Sequence, residues 1–480
     1  MHRYSALSLL AVATLAASAC EDPAQSVGPE ATPTLLEASA QHAGFITAAP
    51  AQAELLVSGL LTPLATAGDI MPGGAQLVGI PDGIGVWGGD RFMEMYLNHE
   101  ISGAARVSRF TFDTKTAEVL AHAYTLDGSE GYSRLCSAEW VDARDGFPGG
   151  YFFTGEEGTD GLQLAIDAQG TVTEMPWIGA YNHENQISVP GFRGHVVVLN
   201  FDDNGGSGVG RAGARSELYM YVARNSNQVI RGRGKLYVFA ADDPSLLAND
   251  LTINQSIPGH WVLVPESIEQ DPAALEAYND DLNVMAFPFI RLEDGFYDKR
   301  PGMQGTAYFY DTGRSSITDP DTGQPIDPWG SIYRLDYNDL RDPVGGGARL
   351  TLIGRSDGPA NGWASPDNGD MDRNGTVMLQ EDPANGPWEA SAGARPPSIW
   401  TLRLAGDGEL SDPVGTRIAQ VVGGDCSPGA PNCWETSGIV EAAEWFGAGA
   451  WIFDVQAHGE SVANCPECVE DGQILLMKLN

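Results

Sequence analysis

Positive charge is scarce in this chain: 27 Lys and Arg stand against 64 Asp and Glu, a formal net charge of -37. Such a surface repels a nucleic-acid backbone or an anionic membrane, so nucleic acid is excluded as a partner. Apart from the N-terminus, no apolar run is long enough to cross a bilayer as a helix. No serine nucleophile elbow, Walker loop, dinucleotide fingerprint or HExxH is present, which removes the common signatures of serine hydrolases, P-loop NTPases, Rossmann dehydrogenases and zincins. Gly206–Gly213 is glycine-rich but has no lysine at the phosphate position and reads as a connection. Cysteine is sparse, with 6 in 480 residues.

What is abundant is turn-forming sequence. The 59 glycines and 30 prolines, with 42% apolar residues, predict many short strands around a sizeable core rather than long helices. His2 and Arg3 precede the apolar run Ala6–Ala17 and the small-residue site Ala17-Ser18-Ala19, the pattern of a secretory signal over 1–19. Cys20 then stands where a lipoprotein is acylated. Residues 20–52, rich in Ala, Pro, Glu and Thr, read as a flexible tether, and 53–480 as one domain. The expected location is outside the cytoplasm: periplasmic, cell-surface lipoprotein or secreted, with a possible lipid anchor. In such a compartment the close pairs Cys426/Cys433 and Cys465/Cys468 read as two local disulfides, or as a four-cysteine zinc site. Cys136 is left alone, either as buried packing or as a thiolate metal ligand.

A recurring unit runs through the chain: a polar segment, a strand ending in polar residues, and a further strand. The strands MEMYLNHE, YFFTGEE, ELYMYVA, TAYFYDTG, TVMLQED and WIFDVQAH are read as the middle strands of six units. They predict an all-β, six-bladed propeller with a central metal site. Asp250–Ala277 does not fit and reads as an insertion with a helical tract. The segments before the middle strands hold Asp82 in GIPDGIG, Cys136 and Glu139 in SRLCSAEW, Glu184 in NHEN, Glu293 in RLED, Asp367 and Asn368 in SPDN, and Glu435 in ETSG. Middle-strand ends add Asn98, His99 and Glu100, Glu156 and Glu157, and Glu381 and Asp382. Carboxylates gathered on one axis repel unless cations neutralise them. Oxygen ligands select Ca2+, while a thiolate among them points to a transition metal such as iron.

The run DMDRNGTVMLQE, Asp370 to Glu381, fits the calcium-loop spacing D-x-[DN]-x-[DN]-G-x5-E, although its Gly- and Pro-rich flanks are not those of an EF-hand. It is expected either to bind Ca2+ or to shape a hairpin that delivers Asp367 and Glu381. Arg291 lies two residues before Glu293, so on a strand the two share a face. They read as an ion pair, or Arg291 as an anion clamp beside bound metal.

The ordered set NHE, the lone cysteine before TGEE, NHEN, RLED, SPDN with NGTVMLQED, and ETSG before WIFDVQAH resembles the PhoX-type alkaline phosphatase family from Asp82 to His458. The resemblance implies an exported propeller hydrolysing small-molecule phosphate monoesters at a central Fe3+ and Ca2+ cluster. By motif, Cys136, Glu184 and Glu293 would be ligands, joined by Asp367, Glu381 and Glu435; the strand-end residues Glu157 and Glu100 are candidate ligands from their position in the repeating unit and not from the resemblance. Arg291 would contact the phosphate. Two alternatives stand beside it: a calcium-dependent lactonase- or esterase-like propeller, suggested by PDGI and SPDN, and a non-catalytic, calcium-stabilised surface propeller that binds a partner. The sequence sets no oligomeric state.

Overall fold

A computed structural model describes residues 44–383, 395–426 and 432–480. The expected signal segment 1–19, Cys20 and the tether up to residue 43 lie outside the described residues. The expected tether is shorter than 20–52. Phe45 bridges Val119, Thr47 donates to the Leu64 carbonyl at 3.0 Å, and the Gln52 amide donates to Gln473 Oε1 at 2.8 Å.

The protein is all-β, built from antiparallel units. Each unit begins with an inner strand: β1 (Pro81–Gly88), β2 (Leu135–Val141), β3 (His183–Val189), β4 (Leu292–Tyr297), β5 (Pro366–Met371) and β6 (Glu435–Glu441). Onto β1 pair Phe92–His99, Arg106–Asp113 and Val119–Leu126; the other units repeat this order. Successive inner strands lie side by side, and β6 returns to β1. The strand Gly59–Thr66 pairs with the C-terminal strand Asp471–Leu479 and completes the last unit. The short strand Ala53–Leu55 edges the unit before it. The expected insertion contains the strand Ser256–Leu263 and the helix Pro272–Asn279, which Asp271 caps at Ala274. That strand pairs with Lys235–Ala241 on one side and Ala348–Arg355 on the other, joining the third and fourth units into one nine-stranded sheet.

Strands such as Phe92–His99 and Val196–Asp202 are buried almost throughout, because each sheet is covered on both faces by its neighbours. The core is accordingly divided. One cluster lies between each pair of successive units, for example Tyr96, Val107, Phe152 and Leu164 between the first and second. Another holds Leu199, Met220, Leu292 and Phe309 between the third and fourth. The cluster of Ile84, Met95, Ile452 and Ile474 spans the last unit and the first. At roughly 1.5–3 kcal/mol for each such side chain fully buried, these interfaces hold the units together.

All six inner strands share one irregularity near their start. Pro81 pairs with His99 but Ile84 with Leu97, so β1 has one residue more than its partner there. The same extra residue occurs in β2, β3, β4, β5 and, slightly later, β6. A bulge of this kind re-aims the side chain at its position. Near the β1 bulge the chains approach closely: a Cβ on Gly83 would lie 2.4 Å from the Ala138 nitrogen and 2.5 Å from the Cys136 carbonyl oxygen. Gly83→Ala is therefore expected to cost about 1–3 kcal/mol in chemical denaturation, as overpacking does. An unchanged denaturation midpoint would show that β1 and β2 are not held at this distance.

Candidate metal centre

The bulges set the site. The second residue of each of the first five inner strands is Asp82, Cys136, Glu184, Glu293 and Asp367, and the first residue of β6 is Glu435. All six are buried. A further tier comes from the residue just past each second strand: Glu100, Glu157, Asp203, Thr312, Asp382 and His458. In five units the N–H of this residue donates to the carbonyl of the residue just before the inner strand. The pairs are Glu100 to Ile80 (2.9 Å), Glu157 to Arg134 (2.8 Å), Asp203 to Asn182 (2.9 Å), Thr312 to Arg291 (2.9 Å) and Asp382 to Ser365 (3.0 Å). Ile80, Arg134 and Ser365 take positive φ to make the turn, at 49°, 48° and 45°.

Two groups are close enough to share an ion: ligand atoms of Asp82, Glu100 and Cys136 lie within 4.8 Å of one another, as do those of Glu184, Asp203 and Glu293. The Cys136 thiol donates to Glu157 Oε2 at 3.2 Å. Arg134 and Arg291 occupy equivalent positions, each just before an inner strand. Arg134 Nη2 lies 2.7 Å from Glu100 Oε1 and also pairs with Glu157. Arg291 Nε donates to Asp203 Oδ1 at 2.7 Å, its Nη2 pairs with the other oxygen, and Glu293 Oε1 is 3.2 Å away. Next to the ligands runs a polar belt. Ser137 Oγ bonds Glu184 Oε1 at 2.7 Å, and Asn368 donates to Ser437 Oγ at 3.0 Å. The Gly369 amide donates to Asp294 at 3.0 Å. At the other end of the inner strands lies a cavity of about 1120 Å³, lined in part by Glu139, Asp294, Lys299 and Glu441.

Burial first, and then neighbouring charge, pushes Asp82, Glu184, Glu293, Asp367 and the Cys136 thiol upward. The neighbours act across units: Asp82 feels Glu100, Glu184, Asp454 and Asp367. Glu435 is pushed up to about 8 by burial and then Asp382, with His458 opposing. Asp203 rises to about 6 through burial, held back by Arg291. Burial lowers His458, but Glu435 and Glu470 outweigh it and hold it up at about 11. Metal ions fit this set. Asp82 Oδ1 and both oxygens of Asp454 are buried without a hydrogen-bond partner, a state that costs free energy unless something cationic meets them; Glu293 Oε1 has Arg291 at 3.2 Å. The donors are carboxylates with one thiol, suited to hard cations and a transition metal together.

Several sequence expectations are corrected. Glu381 does not join the group: its carboxylate accepts from Arg395 Nη1 and Nη2, both at 2.6 Å, and from the Ala364 and Ser398 amides at 2.9 and 3.0 Å. The next residue, Asp382, supplies the charge felt by Asp367 and Glu435. The run Asp370–Glu381 is a hairpin and not a closed calcium loop. Asp370 pairs in register with Met378, while Glu381 lies opposite Pro366, roughly four residues or ~13 Å farther along the strand. Asp370 is taken by Lys299 at 2.5 Å, and Asp372 accepts the Asn374 and Thr376 amides, both at 2.8 Å, to shape the turn. In the third unit the second strand is Val196–Asp202, and ELYMYVA supplies the third. That misplacement hid Asp203, although VVVLNFDD ends as YFFTGEE and TVMLQED do. His99 is a packing residue, its ring between the Gly79 carbonyl (3.0 Å) and Ser108 Oγ (2.8 Å). Glu139 lines the far cavity, and Glu156 caps the Ser133 amide at 2.8 Å. Cys426 is bonded to Cys433, and Cys465 to Cys468.

Two outcomes follow. Glu381→Gln is expected to destabilise the fold by about 3–5 kcal/mol, since it breaks the pair between the fully buried Glu381 and the part-buried Arg395; Asp382→Asn is expected to lower bound metal at near-normal stability. Elemental analysis beside denaturation separates them, and the reverse pattern would overturn the assignment. In metal-free protein, Glu435 (ordinarily 4.5) and Asp203 (ordinarily 3.8) keep protons in the fold up to about 8 and about 6. The unfolded chain releases those protons earlier, so stability falls as pH rises from about 4 to about 8, and His458, held protonated up to about 11 against an ordinary 6.5, continues the fall at higher pH. Bound metal keeps the ligands ionised in the fold and cancels that fall. Melting curves of chelated and loaded protein that run parallel across this window would contradict it.

The chain matches the family described as alkaline phosphatase PhoX over residues 165–410. No curated protein matches it. Among solved structures it is similar to Pseudomonas fluorescens PhoX in complex with vanadate, a transition state analogue, at 15% identity and TM-score 0.63, covering 91% of this chain and 97% of that one. At that identity the likeness shows the fold. Weaker likenesses include a luciferin-regenerating enzyme (8% identity, TM-score 0.40, 88% and 95% covered) and Chaetomium thermophilum Sqt1 bound to the N-terminus of the ribosomal protein L10 (6%, 0.32, 78% and 82%). With the family match spanning more than half its length, the chain belongs to the alkaline phosphatase PhoX family and is a metal-dependent phosphoric ester hydrolase.

Proposed function

We propose that the six antiparallel units are the blades of a six-bladed β-propeller. The two tiers at its axis hold iron and calcium, and the enzyme hydrolyses phosphate monoesters there. The observation that carries this reading is the convergence of Asp82, Cys136, Glu184, Glu293, Asp367 and Glu435 from six distant segments, with an orphaned buried oxygen of Asp82 among them. Iron is supported by the thiol of Cys136 within ligand distance of Asp82 and Glu100, and calcium by the number of carboxylates. Convergence on one axis, with the acids not spread around a rim, favours this over a non-catalytic surface propeller. Cys136 favours it over an all-oxygen lactonase-like site. The N-terminal pattern supports export, with Cys20 as lipid acceptor.

Metal ions held in such a site lower the pKa of water and offset charge on phosphoryl and leaving-group oxygens. The side chains supply the rest. Asp203 fixes the guanidinium of Arg291, whose side chain is only 11% exposed. A guanidinium oriented in this way offers its positive charge to a phosphate, an attraction that gains strength as charge builds on the equatorial oxygens. Burial of the tiers excludes water from the ligand carboxylates, which raises the worth of every charge contact there.

Replacing Arg291 with Met is expected to lower kcat/KM on p-nitrophenyl phosphate about 10²–10³-fold, or about 2.7–4 kcal/mol. Protein purified with its metals is expected to contain both iron and calcium by elemental analysis and to lose turnover on chelation. Iron- and calcium-free protein with full activity, or loaded protein without turnover, would sink the proposal.

A further inference from the structure

The fourth unit breaks the pattern of the second tier. Its residue there is the neutral Thr312, where the other five units carry a carboxylate or His458. Two residues on, Arg314 opens the strand Arg314–Thr318 and turns its guanidinium to Gly205, whose carbonyl accepts from Nη1. Gly205 lies two residues past Asp203, and a Cβ there would sit 2.7 Å from the Arg314 guanidinium carbon. After its own burial, the charges that act most on Arg314 are those of Arg291, Asp203 and Glu293. The contact with Gly205, two residues past Asp203, and the hydrogen bond from Thr312, two residues before Arg314, to the Arg291 carbonyl place Arg314 at the edge of the site.

Counter-charge distinguishes it from the other two arginines of the site. Arg134 is paired with Glu100 and Glu157, and Arg291 with Asp203 and Glu293. Among the described residues no carboxylate forms an ion pair with Arg314 within 4.0 Å, in a chain where acidic residues outnumber basic ones more than twofold. The carboxylates of Asp203 and Glu293 act on Arg314 without reaching ion-pair distance, so its half-buried positive charge is left able to take an anionic group from a substrate.

We propose that Arg314 is a specificity residue that binds a second anionic group on the leaving-group side. The preferred substrates are then phosphate esters or anhydrides bearing a carboxylate or a further phosphoryl group next to the scissile phosphate. This rests on the phosphatase reading and names its substrate class. The planar fork of Arg314 matches either anion with paired hydrogen bonds and finds no such partner on a neutral alcohol. The transfer itself is unchanged. Water oxygen forms the new bond to phosphorus, the bridging P–O bond breaks with its electron pair on the leaving oxygen, and a proton from water ends there.

The test uses metal-loaded full chain with glycerol 3-phosphate, 3-phosphoglycerate and pyrophosphate. The first two differ chiefly by the carboxylate; the third brings a second phosphoryl group. Wild type is expected to show kcat/KM at least about tenfold higher on one or both anionic substrates than on glycerol 3-phosphate, and the arm that shows it identifies the anion. Arg314→Gln should abolish that preference, mainly through KM, leaving glycerol 3-phosphate within about twofold. Arg314→Lys should restore part of it, since a point charge still attracts the anion. Equal losses on all three substrates, or no loss, overturn the proposal. Calorimetric titration with methylenediphosphonate, whose P–C–P bridge cannot be hydrolysed, and with orthophosphate gives a readout independent of turnover: Arg314→Gln should weaken the diphosphonate by about tenfold and orthophosphate little if the second anion is a phosphoryl group. Loaded wild type that turns over none of the three removes the phosphatase reading. Kinetics and titrations that wild type and Arg314→Gln share remove only the role of Arg314.

Discussion

Asp82, Glu184, Glu293, Asp367 and Glu435 are buried on facing strands, with Glu100, Glu157, Asp203 and Asp382 directly beyond them. Two unit charges 4 Å apart repel by about 4 kcal/mol at an effective dielectric of 20. A set this dense opposes the fold that creates it. Arg134 and Arg291 offset part of the repulsion, and protonation another part in metal-free protein. The remaining opposition is carried by the apolar clusters between successive units, which lie away from the charged tiers and do not change when those tiers titrate.

The tiers arise from repetition of one backbone device. Each inner strand carries one extra residue near its start, and each second strand runs one residue past its ladder. The bulge frees a side chain from the ladder's alternation, so a ligand can point to the axis while its neighbours still pack or join the polar belt. Side-chain identity then varies over a nearly constant scaffold. The same two positions carry Asp82 and Glu100, Cys136 and Glu157, Glu184 and Asp203, or Glu293 and Thr312. Differences between sectors of the site are therefore differences of residue and not of backbone, which is why Thr312 and Arg314 single out the fourth.

Much of this was legible in the sequence, because strands buried on both faces leave apolar runs that end abruptly in polar residues. NHE and GEE marked two second-strand ends correctly, and LCS, HEN, LED, PDN and ETS five inner-strand starts. The failures came where period and spacing mislead. TVMLQED offered Glu381 and Asp382 as adjacent candidates, and only the pairing of Glu381 with Arg395, a residue outside that strand, decides between them. The calcium-loop spacing of DMDRNGTVMLQE is a property of twelve consecutive residues, whereas its carboxylates are claimed by Lys299 and Arg395 from outside the run. Asp203 was missed because the third unit holds two apolar strands in a row, Val196–Asp202 and Leu218–Ala223, and the later one was taken as the middle strand.

The last unit is completed by Gly59–Thr66 lying along Asp471–Leu479. A chain made from its N-terminus onward therefore keeps that first strand without its neighbour until the final strand exists. Closing so long a loop is slow, since its entropy must be met before the contact returns anything. No earlier stage of synthesis can bring the converging side chains together, because Glu435 and His458 belong to the same last unit. Assembly of the candidate site is thereby tied to the strand Asp471–Leu479, without which one sheet edge stays open.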